Sequence, residues 1–559
     1  MVFHRMIALN STAEDLPYAA KSAPNDPKIY SDSLPTGRGI IAEVDDKAKI
    51  KIDFVGKSKG NESIESIQWL YFMSKKMGLR IEHGLNGRER SIGDRRYKLD
   101  GFAETINQSG GRCTIGFDYR GCRWHPCPLN CPTKQVDSVC VKKDKERVAY
   151  LQEHLDKYLT IQSCQWQAEF KQSDDNDGPD FYPFLMQKKI TYDDLVTIIN
   201  SRRFFGFVSC DLVTPQKEIN RNKASVKFPP IFKKTQITRE MVPEEYRGKT
   251  KFPTEVNTLV YNETEGVYTS EMINFYLDQK MEIKNVKFIM FYHKAEPFKK
   301  FADQIVQRRI NYASKKMKEA EKLMKIILNS FYGRLGLNKS KYKRTEFIHA
   351  EQRGLRERML GPFHIRTENM DTEYPTDMLE VTSRHKTIHD DALVQIASWV
   401  LQNSKLLMFR FIFELEDHLS PGSFQKCYTD TETDDTITSQ KTPGYFKKEW
   451  EMVEGTYVGL SSKCYGLNGQ NIADNEGKLS KTGTKGINKQ FTISAEEFKK
   501  ELLGVSHKEV IVGNFATKKG QMKTWQTKKS ALNAVYQKQV VCADKVTVTN
   551  LKSEDGKDL

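Results

Sequence analysis

Residues 1–60 are polar and broken by Pro17, Pro24, Pro27 and Pro35, a pattern that predicts weak order. Periodicity begins at Ile64, where Ile67, Leu70, Met73 and Met77 recur at helical spacing up to Leu79. Two short runs, Tyr97–Phe102 and Cys113–Arg120, predict strands joined by a Gly110-Gly111 turn, and they carry Asp100 and Asp118. An acidic turn cluster around Gln172–Pro179 marks a domain boundary. Beyond it, Arg203–Asp211 is an apolar strand ending in a carboxylate, and Asn257–Tyr261 and Val286–Tyr292 predict two more strands. A helix pair starts at Glu296. In its second member Ala320, Leu323, Met324, Ile327 and Leu328 fall at i, i+3, i+4, i+7 and i+8, which predicts a buried face. Lys318, Lys322, Lys325 and Asn329 line the other side. Further on, the apolar run Leu406–Phe413 precedes the polar stretch Tyr428-Thr-Asp430-Thr-Glu432-Thr433, and Pro443-Gly444 follows.

The chain's 559 residues suffice for three or four units with cores of their own. With 38% hydrophobic and 29% charged residues, it has the composition of a folded soluble protein. Its net charge of +15 favours a polyanionic partner, nucleic acid above all. The first nine residues are too short and too soon polar for a secretory signal, and no run reaches the roughly 18 apolar residues that span a bilayer. Ten cysteines in so long a chain make no disulfide scaffold, and the crowding of four of them in one region points to metal or reactive chemistry in a reducing, intracellular setting.

Four groupings could carry chemistry. In an extended segment Asp430 and Glu432 project to the same side, and two carboxylates so close repel unless a hard cation such as Mg²⁺ lies between them. A solvated acidic turn is the plain alternative. Asp211 is costly to bury on its strand unless something cationic meets it, which makes it the third ligand; its alternative is an N-cap. Asp100 and Asp118, with Arg120 two positions on, outline a one-cation nuclease site or an ordinary surface hairpin. Cys122, His125, Cys127 and Cys131 offer a Cys₃His zinc knuckle, some of whose ligands could instead be Cys113, Cys140 or Cys164. On the lysine-bearing helix, Lys325, Asn329 and Tyr332 recur at about one-turn intervals on one side and can reach a single ligand, a triphosphate, although a solvated lysine face is the common alternative.

Lys325-Ile-Ile-Leu-Asn-Ser-Phe-Tyr-Gly333 is identified with the Lys-x₃-Asn-Ser-x-Tyr-Gly motif of family B DNA polymerases. Tyr428–Thr433 resembles the palm motif Tyr-x-Asp-Thr-Asp-Ser, Cys210–Pro215 the first palm motif, and Ser462-Lys-Cys-Tyr465 with Lys485-Gly-Ile the Lys-x-Tyr region that holds the primer. Leu99-Asp-Gly-Phe and Phe117–Cys131 resemble the segment ahead of the polymerase in polinton-type, protein-primed enzymes, itself similar to very-short-patch-repair endonucleases of the PD-(D/E)XK class. Glu432 departs from the family's aspartate, Asp118 from its usual glutamate and Arg120 from its histidine or other base.

The resemblance implies an α+β right hand of palm, fingers and thumb, preceded by a small α/β nuclease-like domain with a zinc knuckle. Its expected layout is a weakly ordered segment (1–60), an endonuclease-like zinc-bearing domain (61–175), palm and fingers (176–455), then primer-binding region and thumb (456–559). The implied activity is metal-dependent transfer of deoxynucleotides from dNTPs to a primer 3′-OH, in replication of a mobile element or virus. Asp211 and Glu432 would hold two Mg²⁺ or Mn²⁺ ions, with Asp430 beside them. Lys325 would meet the triphosphate, helped by Arg308 or Arg309, while Asn329 and Tyr332 shape the nucleotide pocket. Lys463, Tyr465 and Lys485 would hold the primer. A terminal protein is an implied primer, and no membrane is involved. Two alternatives are a decayed relic that only binds DNA, and an endonuclease acting through Asp100 and Asp118.

Overall fold

The computed structural model describes residues 5–9, 34–55, 63–86, 89–106, 110–122, 125, 127, 138–172, 190–202, 204–224, 229–242, 244, 251–369, 377–387, 392–418, 424–429, 455–461, 463–469, 480–484, 487, 491, 493–518, 521–532, 539–541 and 548–550. The chain divides into two compact units. One comprises Ser31–Glu218 and Asn262–Pro297; the other comprises Met1–Tyr30, Ile219–Tyr261 and Phe298–Leu559.

The first unit is built on a five-stranded antiparallel sheet, in the order Glu263–Thr269, Gly206–Val213, Glu282–Ala295, Leu34–Val44, Ile50–Val55. Gly206–Val213 is nearly continuous in apolar residues because both of its faces are covered, and Val208, Cys210 and Leu212 are fully buried. Helices Tyr192–Asn200 and Ser270–Asp278 pack on the sheet; their starts are fixed by Thr191, in a capping box with Asp194, and by Thr269. Gly206 has φ +155°, and a Cβ there would lie 1.8 Å from the Met290 carbonyl oxygen, so only glycine lets these two strands approach. Residues 34–55, which composition assigns to a weakly ordered segment, instead supply two of the five strands. Ile40 and Ala42 are fully buried, whereas on the edge strand Lys51 and Asp53 face out, and these edge charges disguise the alternation.

The same unit contains a second, three-stranded sheet. Gly101–Ile106 runs antiparallel to Arg112–Arg120, which pairs in parallel with Lys157–Gln162. A parallel pair needs a long crossover, and the helix Ser138–His154 lies in it. Helix Ile64–Met77 forms as its periodicity predicts, capped by Ser63 at one end and by left-handed Gly78 at the other. It buries Ile67, Trp69 and Leu70, and Trp69 meets Phe117 edge to face at 6.0 Å. The expected boundary near residue 175 therefore does not separate compact units, because strands distant in sequence put residues on both sides of it into one body.

The second unit carries helices Lys299–Ser314, Lys318–Leu335 and Val394–His418, a ribbon of Ile231–Ile237 with Thr254–Val260, and a three-stranded sheet from residues 343–384. Towards its C-terminus, Thr456–Ser461, Cys464–Asn468 and Ser480–Gly483 form a sheet that packs with helix Ala495–Leu502 around fully buried Leu460 and Phe498. A hairpin of two ten-residue strands, Glu509–Lys518 with Gln521–Ser530, follows. The helix Lys318–Leu335 corrects its expected pattern. Leu323 is 52% exposed and Ile326 50% exposed, while the buried positions are Met324 and Leu335. Its partners grip its C-terminal half: Phe331 packs on Phe298 and Phe301, and Gly336 lies against Ala397.

Candidate active site

Asp211 lies near the C-terminal end of the interior strand Gly206–Val213, beyond fully buried Cys210. Both neighbouring strands lose register beside it. On one side, partners step from Leu212–Glu263 to Cys210–Gly266; on the other, from Asp211–Lys284 to Ser209–Phe288. Each irregularity contains a residue in the left-handed region, Glu265 at φ +54° and Asn285 at φ +48°. Both donate to Asp211: the Glu265 N–H to Oδ1 at 2.8 Å and Asn285 Nδ2 to Oδ2 at 2.6 Å. The Asn285 amide above all, then the Glu265 N–H, hold the Asp211 pKa below the ordinary carboxylate value, with Lys287 adding a weaker pull. The result is an ionised carboxylate, fixed by neutral donors and with no ion pair among the described residues. Two of its four or so lone-pair positions are used, which leaves room for a cation. Asp430 and Glu432 lie outside the described residues; the strand that leads to them, Phe424–Thr429, pairs with Arg5–Leu9.

On the helix Lys318–Leu335, Lys325 and Tyr332 are half-buried and Asn329 is exposed, at i, i+7 and i+4 on one face. Burial pushes the Tyr332 phenol upward, so it stays protonated and able to donate. The two arginines expected to assist Lys325 differ. Arg309 is buried and directed at Glu321 on the neighbouring helix, 3.6 Å away, so it ties the helix pair together and is withdrawn from a triphosphate role. Arg308 is exposed. In the C-terminal sheet, Lys463 turns the hairpin between Thr456–Ser461 and Cys464–Asn468 with φ +64°, and Tyr465 stacks on Tyr457 at 6.0 Å. Lys485 lies outside the described residues.

The nuclease-like pair has a different environment. Asp118 is 3% exposed; its Oδ2 accepts from Arg147 at 2.5 Å and from the Tyr158 hydroxyl, and its Oδ1 accepts from the Asp100 N–H at 3.4 Å. Asp100 in turn accepts from the Tyr119 N–H at 2.7 Å. Burial opposes the charge on Arg147, but the Asp118 carboxylate outweighs it and raises the guanidinium pKa. Arg147 thus fills the place a cation would take, and this carboxylate pair does not fit a metal. Arg120, expected to serve the pair, is turned to Asp144, which also takes His125 Nδ1 at 2.9 Å. Arg147 was hidden in the charged run 142–147, where charge alone gives no sign of which residue turns inward.

The thiols of Cys122, Cys127 and Cys164 lie within 4.8 Å of one another, with Cys127 and Cys164 Sγ 3.6 Å apart. Tetrahedral Zn–S bonds of about 2.3 Å put sulfurs about 3.8 Å apart, so three thiolates fit a zinc ion. Cys164 stands here as the third thiol, whereas Cys131 lies outside the described residues. Burial disfavours the Cys122 thiolate, but hydrogen bonds from Ser163 and the neighbouring cysteines prevail and bring its pKa down to about 7. His125, oriented through Nδ1 by Asp144, keeps Nε2 as its second ligand atom.

Among the described residues no helix is long and apolar enough to cross a membrane. No curated protein and no solved structure matches the chain. A family model does: DNA polymerase type B, organellar and viral, over residues 180–414. That span takes in Asp211 with its double irregularity and the whole of Lys325–Gly333, and it ends before Asp430 and Glu432. By this similarity the chain is a DNA-directed DNA polymerase, which takes a DNA template, a primer and dNTPs and depends on a divalent metal such as Mg²⁺.

Proposed function

We propose that the chain extends primers at a site made by Asp211, Asp430 and Glu432, in replication of a polinton-like element or virus. The observation that carries this reading is the Asp211 carboxylate: ionised, fixed at both oxygens by neutral donors, and without a counter-ion among the described residues. Asp211 and Glu432 would hold two Mg²⁺ ions, which when bound stabilise the attacking and leaving oxygens of an in-line phosphoryl displacement. Lys325, with Arg308, draws the triphosphate to the helix and neutralises the charge on the departing pyrophosphate. Asn329 and Tyr332 flank the nucleotide, and Lys463, Tyr465 and Lys485 hold the primer so that its 3′-OH faces the α-phosphorus. We further propose that Cys122, Cys127 and Cys164 bind a structural zinc ion with His125 or Cys131 as fourth ligand, and that a terminal protein supplies the first hydroxyl. The nuclease-like part then serves as a DNA-binding and stabilising element, since Arg147 already neutralises Asp118.

Extension of a primed single-stranded template with dNTPs and Mg²⁺ or Mn²⁺ tests this. Extension by the wild type, lost in Asp211→Asn and kept in Glu432→Asp, supports it. Tight DNA binding with no extension by either the wild type or Glu432→Asp would leave a binding module in its place.

A further inference from the structure

We infer that Asn285 is a positioning residue for Asp211, which aims the carboxylate at the metal; the inference rests on Asp211 being a catalytic ligand. Strand irregularities commonly re-aim a side chain beside an active site. Here two of them converge on one carboxylate from opposite sides of the strand Gly206–Val213. The Glu265 bond comes from the main chain, so it survives substitution of the side chain. The Asn285 bond comes from the side-chain amide and disappears with it.

Asparagine at 285 satisfies two demands at once. Its φ of +48° falls in the region where glycine, asparagine and aspartate are tolerated and most residues are strained. Its amide also reaches Asp211 Oδ2 at 2.6 Å. Glycine meets the first demand alone, and aspartate meets the first while turning the donor into a repelling acceptor. A residue needed only for the turn would tolerate both changes. The amide restricts carboxylate rotation and occupies one lone pair of Oδ2, so that the remaining lone pairs present one orientation to a cation. Such outer partners commonly govern metal affinity or activity by about 10–100-fold.

The test compares Asn285→Gly, Asn285→Asp, Glu265→Gly and Asp211→Asn in the full chain. The first readout is Mn²⁺ binding, followed by loss of the free-ion electron paramagnetic resonance signal without DNA or dNTP. The second is the Mg²⁺ concentration for half-maximal primer extension, with the KM for dNTP measured at saturating metal. Asn285→Gly is expected to weaken the Asp211-dependent Mn²⁺ site and raise the Mg²⁺ requirement by about tenfold or more, with the dNTP KM unchanged. Asn285→Asp alters the same two quantities, and Glu265→Gly neither. Wild-type metal behaviour in Asn285→Gly, while Asp211→Asn abolishes Mn²⁺ binding, overturns the positioning role and leaves the catalytic reading intact. If Asp211→Asn itself binds Mn²⁺ and extends primers as the wild type does, the catalytic reading fails and takes this inference with it.

Discussion

Asp211 and Asp118 both end up on strands of one compact unit, yet their surroundings prepare them for opposite tasks. Asp211 stands at a doubly irregular sheet position and is held by an amide and a main-chain N–H, which fix it without cancelling its charge. Asp118 is buried and bound to a guanidinium and a phenol, so its charge is spent inside the protein. A carboxylate fixed by neutral donors remains a ligand for a cation, whereas one that already has a cation is a structural ion pair. The comparison teaches that an aspartate's role is read from the sign of its donors rather than from its position on a strand.

The largest expected effect is at the first site. Asp211→Asn should reduce primer extension below about one thousandth of wild type, beyond the 10–100-fold that loss of an outer partner commonly costs. Asp118→Asn, measured in the same assay, should leave the rate within a few-fold. At the second site the largest effect is on stability. Arg147→Met strands a buried carboxylate and should cost about 3–5 kcal/mol in denaturant unfolding of that unit, while Arg147→Met with Asp118→Leu recovers most of the loss. A wild-type unfolding curve for Arg147→Met would erase the contrast between the two aspartates.

Smaller effects sharpen it. Lys325→Ala removes one charge-assisted contact of about 1.5–3 kcal/mol and should raise the KM for dNTP by about 10–100-fold, with primer affinity unchanged in a gel-shift assay. Smallest is a local effect near the C-terminus. Lys508 first, then the Ser494 N–H, hold the Glu497 carboxyl below its reference value of 4.5. A depressed folded pKa contributes stability that is complete above about 4.5 and is lost as pH falls through the folded value. Glu497→Gln should therefore flatten the acid limb of the stability profile of this region, and Ser494→Ala should cost about 1 kcal/mol at neutral pH. Thermal melts between pH 3 and 7 check both.

The helices and strands around these sites were largely legible from periodicity. Ile64–Met77, Arg112–Arg120 and Gly206–Val213 follow their patterns because each buries a face or a run that the sequence states directly. Residues 34–55 were not legible, since a proline-bearing strand followed by a charge-studded edge strand looks like a loop until the partner of the first, Glu282–Ala295, is known. Leu323 misled in the other direction: its spacing fits a buried stripe, but the neighbouring helices cover only part of that stripe. At the candidate site, Asp211, Lys325, Asn329 and Tyr332 could be named from the chain alone. Asn285, Arg147 and Asp144 could not, because each acts on a residue 19 or more positions away through a contact that only the fold creates, as Arg120 with Asp144 illustrates.

The most direct test of the central claim runs two reactions on the same preparations: primer extension on a primed template, and nicking of supercoiled DNA, each with Mg²⁺ and Mn²⁺, for the wild type, Asp211→Asn and Asp118→Asn. The account predicts extension by the wild type and Asp118→Asn, none by Asp211→Asn, and no nicking by any of the three. Nicking that is lost specifically in Asp118→Asn, or extension that survives in Asp211→Asn, would contradict it.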